Sequence, residues 1–320
     1  MAKVSVIIPI YGVEKYIERC AVSLFEQTLT DIEYIFVNDC TKDRSMEILN
    51  GVILKYPHRK AQVQIVNMPV NSGLPTVRKV GLQYATGEYI AHCDSDDWVD
   101  TSAYEKLYNT AKQYDSDIVF CDFYKSDGIN HCLVPRIINT NSSKEVITSL
   151  SKIASWNVWS CIVRRGLYSD NKIEYPTNNN GEDFALMFQL IHYAQSFRKI
   201  DYPLYFYYLN PQSITNAPTE DAYIKRYSQL LSNTELVIDF IKHNLAILEY
   251  KHIIDCYKLY CRTKLSPLTH KQKYRLLWKT TYPELNFMDI VTNPIMKIKT
   301  KLHYIAVYLR VYHLIHKNKL

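Results

Sequence analysis

Through the first two thirds of the chain, short continuous apolar runs alternate with longer stretches in which apolar residues recur every three or four positions. Val4–Ile10 is such a run. It is rich in β-branched residues and predicts a buried strand, with Pro9 near its end, where a missing donor matters least. Tyr11-Gly12 turns the chain, and 13–27 reads as an amphipathic helix with Tyr16, Ile17, Cys20, Leu24 and Phe25 inward. Strands follow at Ile32–Asn38, 62–67 and 89–91. Between them lie a helix through Tyr56 with Asp43 as its N-cap and a helix over 75–84 with proline in its first turn. Next come a helix at 102–113, a strand at 117–123, a polar irregular or hairpin stretch at 124–143 and a helix at 144–153. An apolar segment at 156–163 carries Trp156 and Trp159, which read as core packing ahead of an acceptor-side lining. A helix opens at Glu182, and short strands follow at 197–200 and 204–208. Strand and helix alternate in units of about thirty residues, the βαβ pattern of a parallel sheet with helices on both faces.

After Asn216 the period changes to helix only, over 220–244, 246–264, 270–280 and 295–316, punctuated by Pro267, Pro283 and Pro294. The expected organisation is an α/β domain over 1–216 and a helical region over 217–320.

Charge sharpens this division. The net charge is +6, and the six basic residues after Ile290 (Lys297, Lys299, Lys301, Arg310, Lys317, Lys319) have no acid among them. The body is therefore neutral, which argues against a nucleic-acid-binding face. In the tail, Ile298, Leu302, Ile305, Leu309 and Tyr312 recur at helical spacing. It reads either as a basic amphipathic helix lying on an anionic membrane or as a helix packed on its predecessors with a solvated basic face. The eight cysteines form no CxxC pair and several sit in apolar segments, which fits a reducing cytoplasm. The first residues lack the pattern of a signal peptide, and no apolar stretch reaches the roughly 18 to 20 residues of a membrane span.

The stretch Gly87 to Trp98 carries the candidate chemistry. A short strand runs into Asp94, Asp96 and Asp97, three carboxylates that repel one another at close range unless a cation or solvent screens them. Two readings stand side by side: a site for a divalent cation with a phosphorylated substrate, or an acidic surface turn before a helix. Asp39 also follows a strand, and in parallel sheets ligands bind beyond the C-terminal strand ends. Glu182-Asp183, taken alone, reads as a pair of acids serving the dipole of the helix they open. The loop 178–180 before it, three asparagines, is either an acceptor contact or a plain turn. His92 and Cys93 point to opposite faces of a strand and have no second His/Cys pair at ligand spacing, so they read as structural rather than zinc-binding.

Taken in order, the motifs resemble the family 2 glycosyltransferases, inverting enzymes of the GT-A fold. Val4-Ser5-Val6-Ile7-Ile8-Pro9-Ile10-Tyr11 is similar to the family's opening strand. Tyr16-Ile17, Ser23-Leu24 and Gln27-Thr28 resemble its first helix. Asn38-Asp39-Cys40-Thr41-Lys42-Asp43-Arg44-Ser45 resembles its nucleotide-base loop, and Asn71-Ser72-Gly73-Leu74 with Arg78 the segment before the metal strand. Asp94-Ser95-Asp96-Asp97-Trp98 resembles its DxD motif and Gly181-Glu182-Asp183 its ED motif. Tyr207-Tyr208 with Ser213-Ile214-Thr215 resembles the close of its catalytic domain.

The resemblance implies a Rossmann-like mixed sheet flanked by helices and a helical extension. It implies a nucleotide-sugar donor, a UDP-sugar first, bound near Pro9, Tyr11, Asp39, Asn71, Arg78, Asp94 and Ser95. A divalent metal, Mn2+ or Mg2+, would sit at Asp96, Asp94 and Asp97, and Asp183, with Glu182, would act as the catalytic base. The implied acceptor is a glycan or lipid-linked hydroxyl in bacterial cell-surface polysaccharide synthesis, in the cytoplasm or at the inner face of the plasma membrane. The chain departs from the family at Lys79, where asparagine is common, and at Leu209-Asn210, where neither residue is basic. Trp159-Ser160-Cys161 also lacks a lysine often found there. Homo-oligomerisation is left open.

A sugar nucleotidyltransferase needs a Gly-rich phosphate loop that Tyr11-Gly12-Val13-Glu14 does not supply, and a dehydrogenase needs GxGxxG. A glycosyltransferase-like binding or scaffold protein that has lost activity is the remaining alternative.

Overall fold

The computed structural model describes residues 2–210 and 218–312. Ser213-Ile214-Thr215, the turn through 211–213 and the tail residues Lys317 and Lys319 lie outside them. The chain divides into two compact units. The first is Met1–Ile147, Trp156–Thr177 and Leu186–Asn210; the second is Thr148–Ser155, Asn178–Ala185 and Pro211–Leu320. The second unit thus takes in two short segments that precede the helical region.

The first unit contains the strands β1 Val4–Ile10, β2 Ile32–Asn38, β3 Val63–Asn67, β4 Tyr89–His92, β5 Trp98–Val99, β6 Ile118–Ser126, β7 His131–Val134, β8 Cys161–Arg164 and β9 Phe197–Tyr208. They form one sheet in the order β3-β2-β1-β4-β8-β6-β9-β5, with β7 paired to β6. β1 to β4 are parallel, as the βαβ alternation predicts. β8 then runs antiparallel to both β4 and β6, β9 runs parallel to β6, and the sheet is mixed. The two short strands expected at 197–200 and 204–208 are one strand. Its register against β6 shifts where Ile200 faces Cys121 and Pro203 faces Asp122, so exposed Asp201 and Tyr202 form a bulge. The polar stretch expected at 124–143 begins as a hairpin, with β6 returning as β7.

Helices cover both faces of the parallel half. Val4, Val6, Ile8 and Ile10 of β1 share one core with Ile17, Cys20, Leu24 and Phe25 of α1 (Ile17–Phe25) and Leu49 and Val52 of α2 (Ser45–Lys55). This follows from the period of two along the strand and of three to four along the helices. On the opposite face α3 (Leu74–Tyr84) lies close enough that a Cβ on Gly81 would stand 2.5 Å from Ile7 Cγ2. Only glycine permits that approach. Helix α4 (Ala103–Gln113) adds Tyr104 and Leu107 to the first core. Trp156 and Trp159 are both buried; Trp159 stacks on Tyr205 with ring centroids 4.3 Å apart, so core packing describes them. Helices α5 (Ser143–Ile153), α6 (Gly166–Ser169) and α7 (Glu182–Tyr193) complete the α/β part of the chain.

The helical region comprises α8 (Glu220–Asn244), α9 (Lys251–Leu265), α10 (Gln272–Thr280), α11 (Phe287–Val291) and α12 (Ile298–Tyr308). Thr219 caps α8 through its side chain. The short α11, closed by a capping box of Asn286 and Asp289, is absent from the periodicity reading because five residues are too few to show a period. Tyr227, Leu259, Leu265, Trp278, Ile290, Met296 and Val307 form the core of this unit. All eight cysteines are free thiols.

Candidate active site

The parallel register makes the strands end in step. Ile10 lies opposite Asn38, Asn38 opposite Asn67, and His92 opposite Ile7, so the residues that follow collect along one sheet edge. The loops there are stitched together by side chains. The Gly12, Val13 and Glu14 amides donate to Thr41 Oγ1 (2.9 Å), Ser45 Oγ (3.1 Å) and Asp43 Oδ2 (2.9 Å). The Arg44 amide donates back to Glu14 Oε2 at 3.0 Å. Asp43 therefore joins the ends of β1 and β2, with hydrogen bonds from Ser45 and Thr41 that outweigh its partial burial and hold its carboxyl below the ordinary value. It is not the N-cap proper, since α2 begins at Ser45 after Arg44.

Asp39 is buried, and its two oxygens accept from the Ser72 amide (2.7 Å) and the Gly73 amide (3.0 Å). It thereby shapes the loop that carries Asn71, whose Nδ2 donates to the Asp39 carbonyl at 3.5 Å. Gly73 sits at φ 83°, a conformation open to glycine, and α3 starts directly after it. Buried Arg78, on α3, donates to Asp94 Oδ1 at 2.6 Å. Tyr11 is 51% exposed at this edge, and Ser95 Oγ donates to the Pro9 carbonyl at 2.6 Å, tying β4's exit to β1's.

The three carboxylates after β4 differ in their surroundings. Asp97 is 1% exposed; Tyr205 Oη donates to its Oδ2 and the Tyr208 amide to its Oδ1, both at 2.7 Å. Tyr205 Oη also accepts from the Asp94 amide at 3.1 Å. Asp97 thus fastens β9 to the acidic turn, and its carboxylate is not turned to a cation as the DxD resemblance implied. Burial, then the charges of Asp96 and Asp94, push its carboxyl well up. Asp96 is half-buried and accepts from Asn210 Nδ2 at 3.2 Å. Burial and the neighbouring Asp94 charge push its carboxyl up as well.

Negative charge gathered in this way is what a hard divalent cation relieves; Mg2+ or Mn2+ would take Asp96 and Asp94 as the one or two carboxylates it binds alongside substrate phosphates. Among the described residues no group of three or more His, Cys, Asp or Glu side chains is placed to hold a metal by itself. Such a site would be completed by a diphosphate. His92 and Cys93 belong elsewhere. His92 is buried with Nε2 3.5 Å from Tyr168 Oη, and Cys93 Sγ lies 3.9 Å from Cys20 Sγ.

One residue that sequence reasoning passed over is Arg19 on α1. Its Nη2 donates to the Asp96 carbonyl at 3.0 Å. Its guanidinium lies 3.7 Å from the Trp98 ring centre and 4.7 Å from that of Tyr208. Trp98 stacks in turn on Phe206 and Phe206 on Tyr124, each at 5.1 Å. The stack brings a cation to the acidic turn from α1, whereas the sequence reading sought one at 209–210. The available signal was a basic residue one helical turn after Tyr16.

Glu182 and Asp183 open α7 in the second unit. Glu182 is buried and Asp183 half-buried. Gly181 before them has φ 86°, and a Cβ there would meet Leu230 Cδ1 at 2.7 Å. The asparagine loop is anchored to α8: Asn233 Nδ2 donates to the Asn178 carbonyl (2.7 Å) and the Asn180 carbonyl (3.0 Å), and Asn180 Nδ2 donates to the Arg226 carbonyl (2.7 Å). Phe184 stacks on Tyr257 of α9.

A parallel-edged α/β sheet with carboxylates and an arginine collected beyond its strand ends is the architecture of a nucleotide-binding protein. The model of Glycosyl transferase family 2 matches residues 5–165, and the chain belongs to that family. The uncharacterized glycosyltransferase EpsJ of Bacillus subtilis is 35% identical over 68% of this chain and 64% of its own. The poly(ribitol-phosphate) beta-glucosyltransferase of Bacillus spizizenii is 35% identical over 55% of this chain and 27% of its own. This chain therefore spans less than two thirds of either relative. Among solved structures, Staphylococcus aureus TarS 1–349 in complex with UDP-GlcNAc superposes with a TM-score of 0.73 at 19% identity, covering 98% of this chain and 90% of that one. The fold is the GT-A fold that the sequence resemblance implied.

Proposed function

We propose that this chain is an inverting glycosyltransferase. It moves a sugar from a UDP-sugar to a hydroxyl of a glycan or lipid-linked acceptor in cell-surface polysaccharide assembly. The observation that carries the reading is the gathering of Asp39, Arg78–Asp94 and Asp96 along one strand edge of a family 2 chain. The relative bound to UDP-GlcNAc supports the donor class, and the relatives named for poly(ribitol-phosphate) support a polymer acceptor.

In this reading Tyr11, Pro9 and Asp39 line the nucleoside end. Asp39 retains lone pairs for a base N–H beside its two backbone bonds. Asn71 and Ser95 frame the same edge, and Arg78 orients Asp94. A divalent cation held by Asp96 with Asp94 would supply charge neutralisation at the diphosphate; a structural relative is described with GDP-Man and Mn2+. Asp183 takes the proton from the acceptor hydroxyl. The acceptor oxygen forms a bond to the anomeric carbon from the face opposite the diphosphate. The bond from that carbon to the diphosphate oxygen breaks, and the nucleoside diphosphate leaves with the electron pair. A single displacement inverts the centre. Of the ED pair, half-buried Asp183 is the accessible member, and buried Glu182 supports the helix start.

Asp183→Asn is expected to keep donor affinity and lower transfer by about 10²- to 10⁴-fold. Asp96→Asn is expected to remove the metal dependence of UDP binding. Titration of UDP with and without Mn2+, beside a donor-turnover assay, checks both. Unchanged turnover in Asp183→Asn would remove it from the role. Absence of any metal-dependent nucleotide binding in the unaltered chain would leave the inactive-scaffold alternative.

The reading extends to contact with an anionic membrane surface. Ile298 (75% exposed), Leu302 (60%) and Leu309 (60%) stand outward beside Lys297 and Lys299, and the exposed Phe287 of α11 lies 6.2 Å from Tyr308. No described helix is long and apolar enough to cross a membrane. The unaltered chain is expected to pellet with phosphatidylglycerol vesicles and Leu302→Asp/Leu309→Asp to stay in the supernatant. Equal pelleting would end the idea.

A further inference from the structure

A cavity of about 460 Å³ lies within the helical unit, lined by Thr269, His270, Gln272, Arg275, Val307, Arg310 and Tyr312. Its lining holds two guanidiniums and no carboxylate. Among the described residues neither Arg275 nor Arg310 has an ion-pair partner, and Arg275 Nε is buried without a hydrogen-bond partner. The nearby acid Glu220 is engaged by Lys271, Lys273 and Tyr274. Burial, and then the charge of Arg310, hold the Arg275 guanidinium below its ordinary value.

The backbone adds an independent observation. α12 ends in a Schellman motif: the Val311 amide donates to the Ala306 carbonyl (2.9 Å) and the Arg310 amide to the Val307 carbonyl (3.2 Å). Arg310 therefore occupies the left-handed position of that motif, at φ 65°, where glycine is the favoured residue and other residues are strained. Holding an arginine in that conformation on the wall of a cavity that already contains an arginine costs stability twice, through backbone and through charge. An anion seated between the guanidiniums would offset the charge cost.

We infer that the Arg275–Arg310 cavity binds a phosphoryl group, with Gln272, Thr269 and His270 as the neighbouring polar side chains. The planar guanidinium fork matches phosphate oxygens in pairs. The cavity has room for a pyrophosphate or for a phosphate with part of the molecule that bears it. The phosphate reaches it either as a soluble anion or as the headgroup of an anionic lipid. The inference does not depend on the proposed transfer reaction, and its test separates it from the donor edge.

The full chain is heated in EDTA with sodium pyrophosphate, or with sodium chloride at matched ionic strength. Pyrophosphate is expected to raise Tm by about 3 °C over chloride. Arg275→Gln and Arg310→Gly are expected to abolish the rise, while Asp96→Asn keeps it. Arg310→Gly suits the left-handed backbone, so its Tm without anion should be no lower than that of the unaltered chain. Loss of response then reports loss of the ligand, not of the fold. No rise in the unaltered chain, an undiminished rise in both arginine variants, or loss of the rise in Asp96→Asn would each overturn the assignment. The same variants are mixed with phosphatidylglycerol and phosphatidylcholine vesicles. Weakened phosphatidylglycerol binding in both arginine variants assigns the site to a lipid phosphate. Unaltered vesicle binding with a lost pyrophosphate response assigns it to a soluble one.

Discussion

The acidic turn after β4 and the acidic turn that opens α7 look alike in sequence, each a pair or triplet of carboxylates beside a small residue, yet they are held by different means. The first is supported by distant strands: Tyr205 and the Tyr208 amide fasten Asp97, Pro9 accepts from Ser95, and Arg78 pairs with Asp94. The second is shaped by neighbouring helices: Leu230 of α8 leaves no room beside Gly181, Asn233 holds the carbonyls of Asn178 and Asn180, and Phe184 stacks on Tyr257 of α9. In the first, a buried carboxylate is itself a structural element. In the second, the acids are carried by a backbone that other groups shape. Damage should therefore read out differently: through ionisation in the first, through backbone strain in the second.

The largest expected effect is at Gly181. Gly181→Ala places a Cβ at φ 86° and 2.7 Å from Leu230 Cδ1, and it should destabilise by about 2 to 4 kcal/mol. Urea denaturation checks this; a change below about 1 kcal/mol would mean that the loop has slack the contact denies.

Next is Tyr205→Phe. It removes a donor to Asp97 and an acceptor of the Asp94 amide and should destabilise by about 2 kcal/mol. If the loss is confined to metal and nucleotide binding with stability unchanged, Asp97 is not the fastening described.

The smallest effect is pH dependence. Asp97 and Asp96 are raised by burial first and by neighbouring carboxylates second. Between the ordinary carboxylate pKa and the raised values the folded chain keeps protons that the unfolded chain has released, so these two groups make stability fall as pH rises through that interval. Asp43, held low, contributes the opposite slope at more acid pH. Asp97→Asn keeps an acceptor for the Tyr208 amide and should flatten the fall above the ordinary carboxylate range. Urea midpoints that run parallel in both proteins would break the contrast between the two turns.

Much of the first unit was legible in the sequence. Val4–Ile10 and Ile32–Asn38 are strands over the same residues that their apolar runs marked. Buried parallel strands are apolar throughout, so the run and the strand coincide. The start of α7 at Glu182 was equally plain. The continuous β9 was not, because the bulge at Asp201 and Tyr202 interrupts the alternation that a strand shows. α12 stops at Tyr308 although apolar spacing continues to Tyr312, since Arg310 turns left-handed and no residue there announces it.

The candidate site divides in the same way. Asp39, Asp94 and Asp96 were marked by residue type and by their place after a strand, whereas Arg78 and Asp183 were marked by the family resemblance of the motifs around them. That information is local and survives in one dimension. The sequence by itself thus determined the family, the order of strands and helices in the parallel half and the set of candidate carboxylates. Only the tertiary structure decided what each carboxylate does. Asp97 and Asp96 are adjacent in the chain, but Asp97 is buried on Tyr205, more than a hundred positions away, while Asp96 takes a hydrogen bond from Asn210 and has Arg19 on its carbonyl. Burial and partners set a carboxylate's charge state and its access to a ligand, and both come from elements that meet only when the chain is folded.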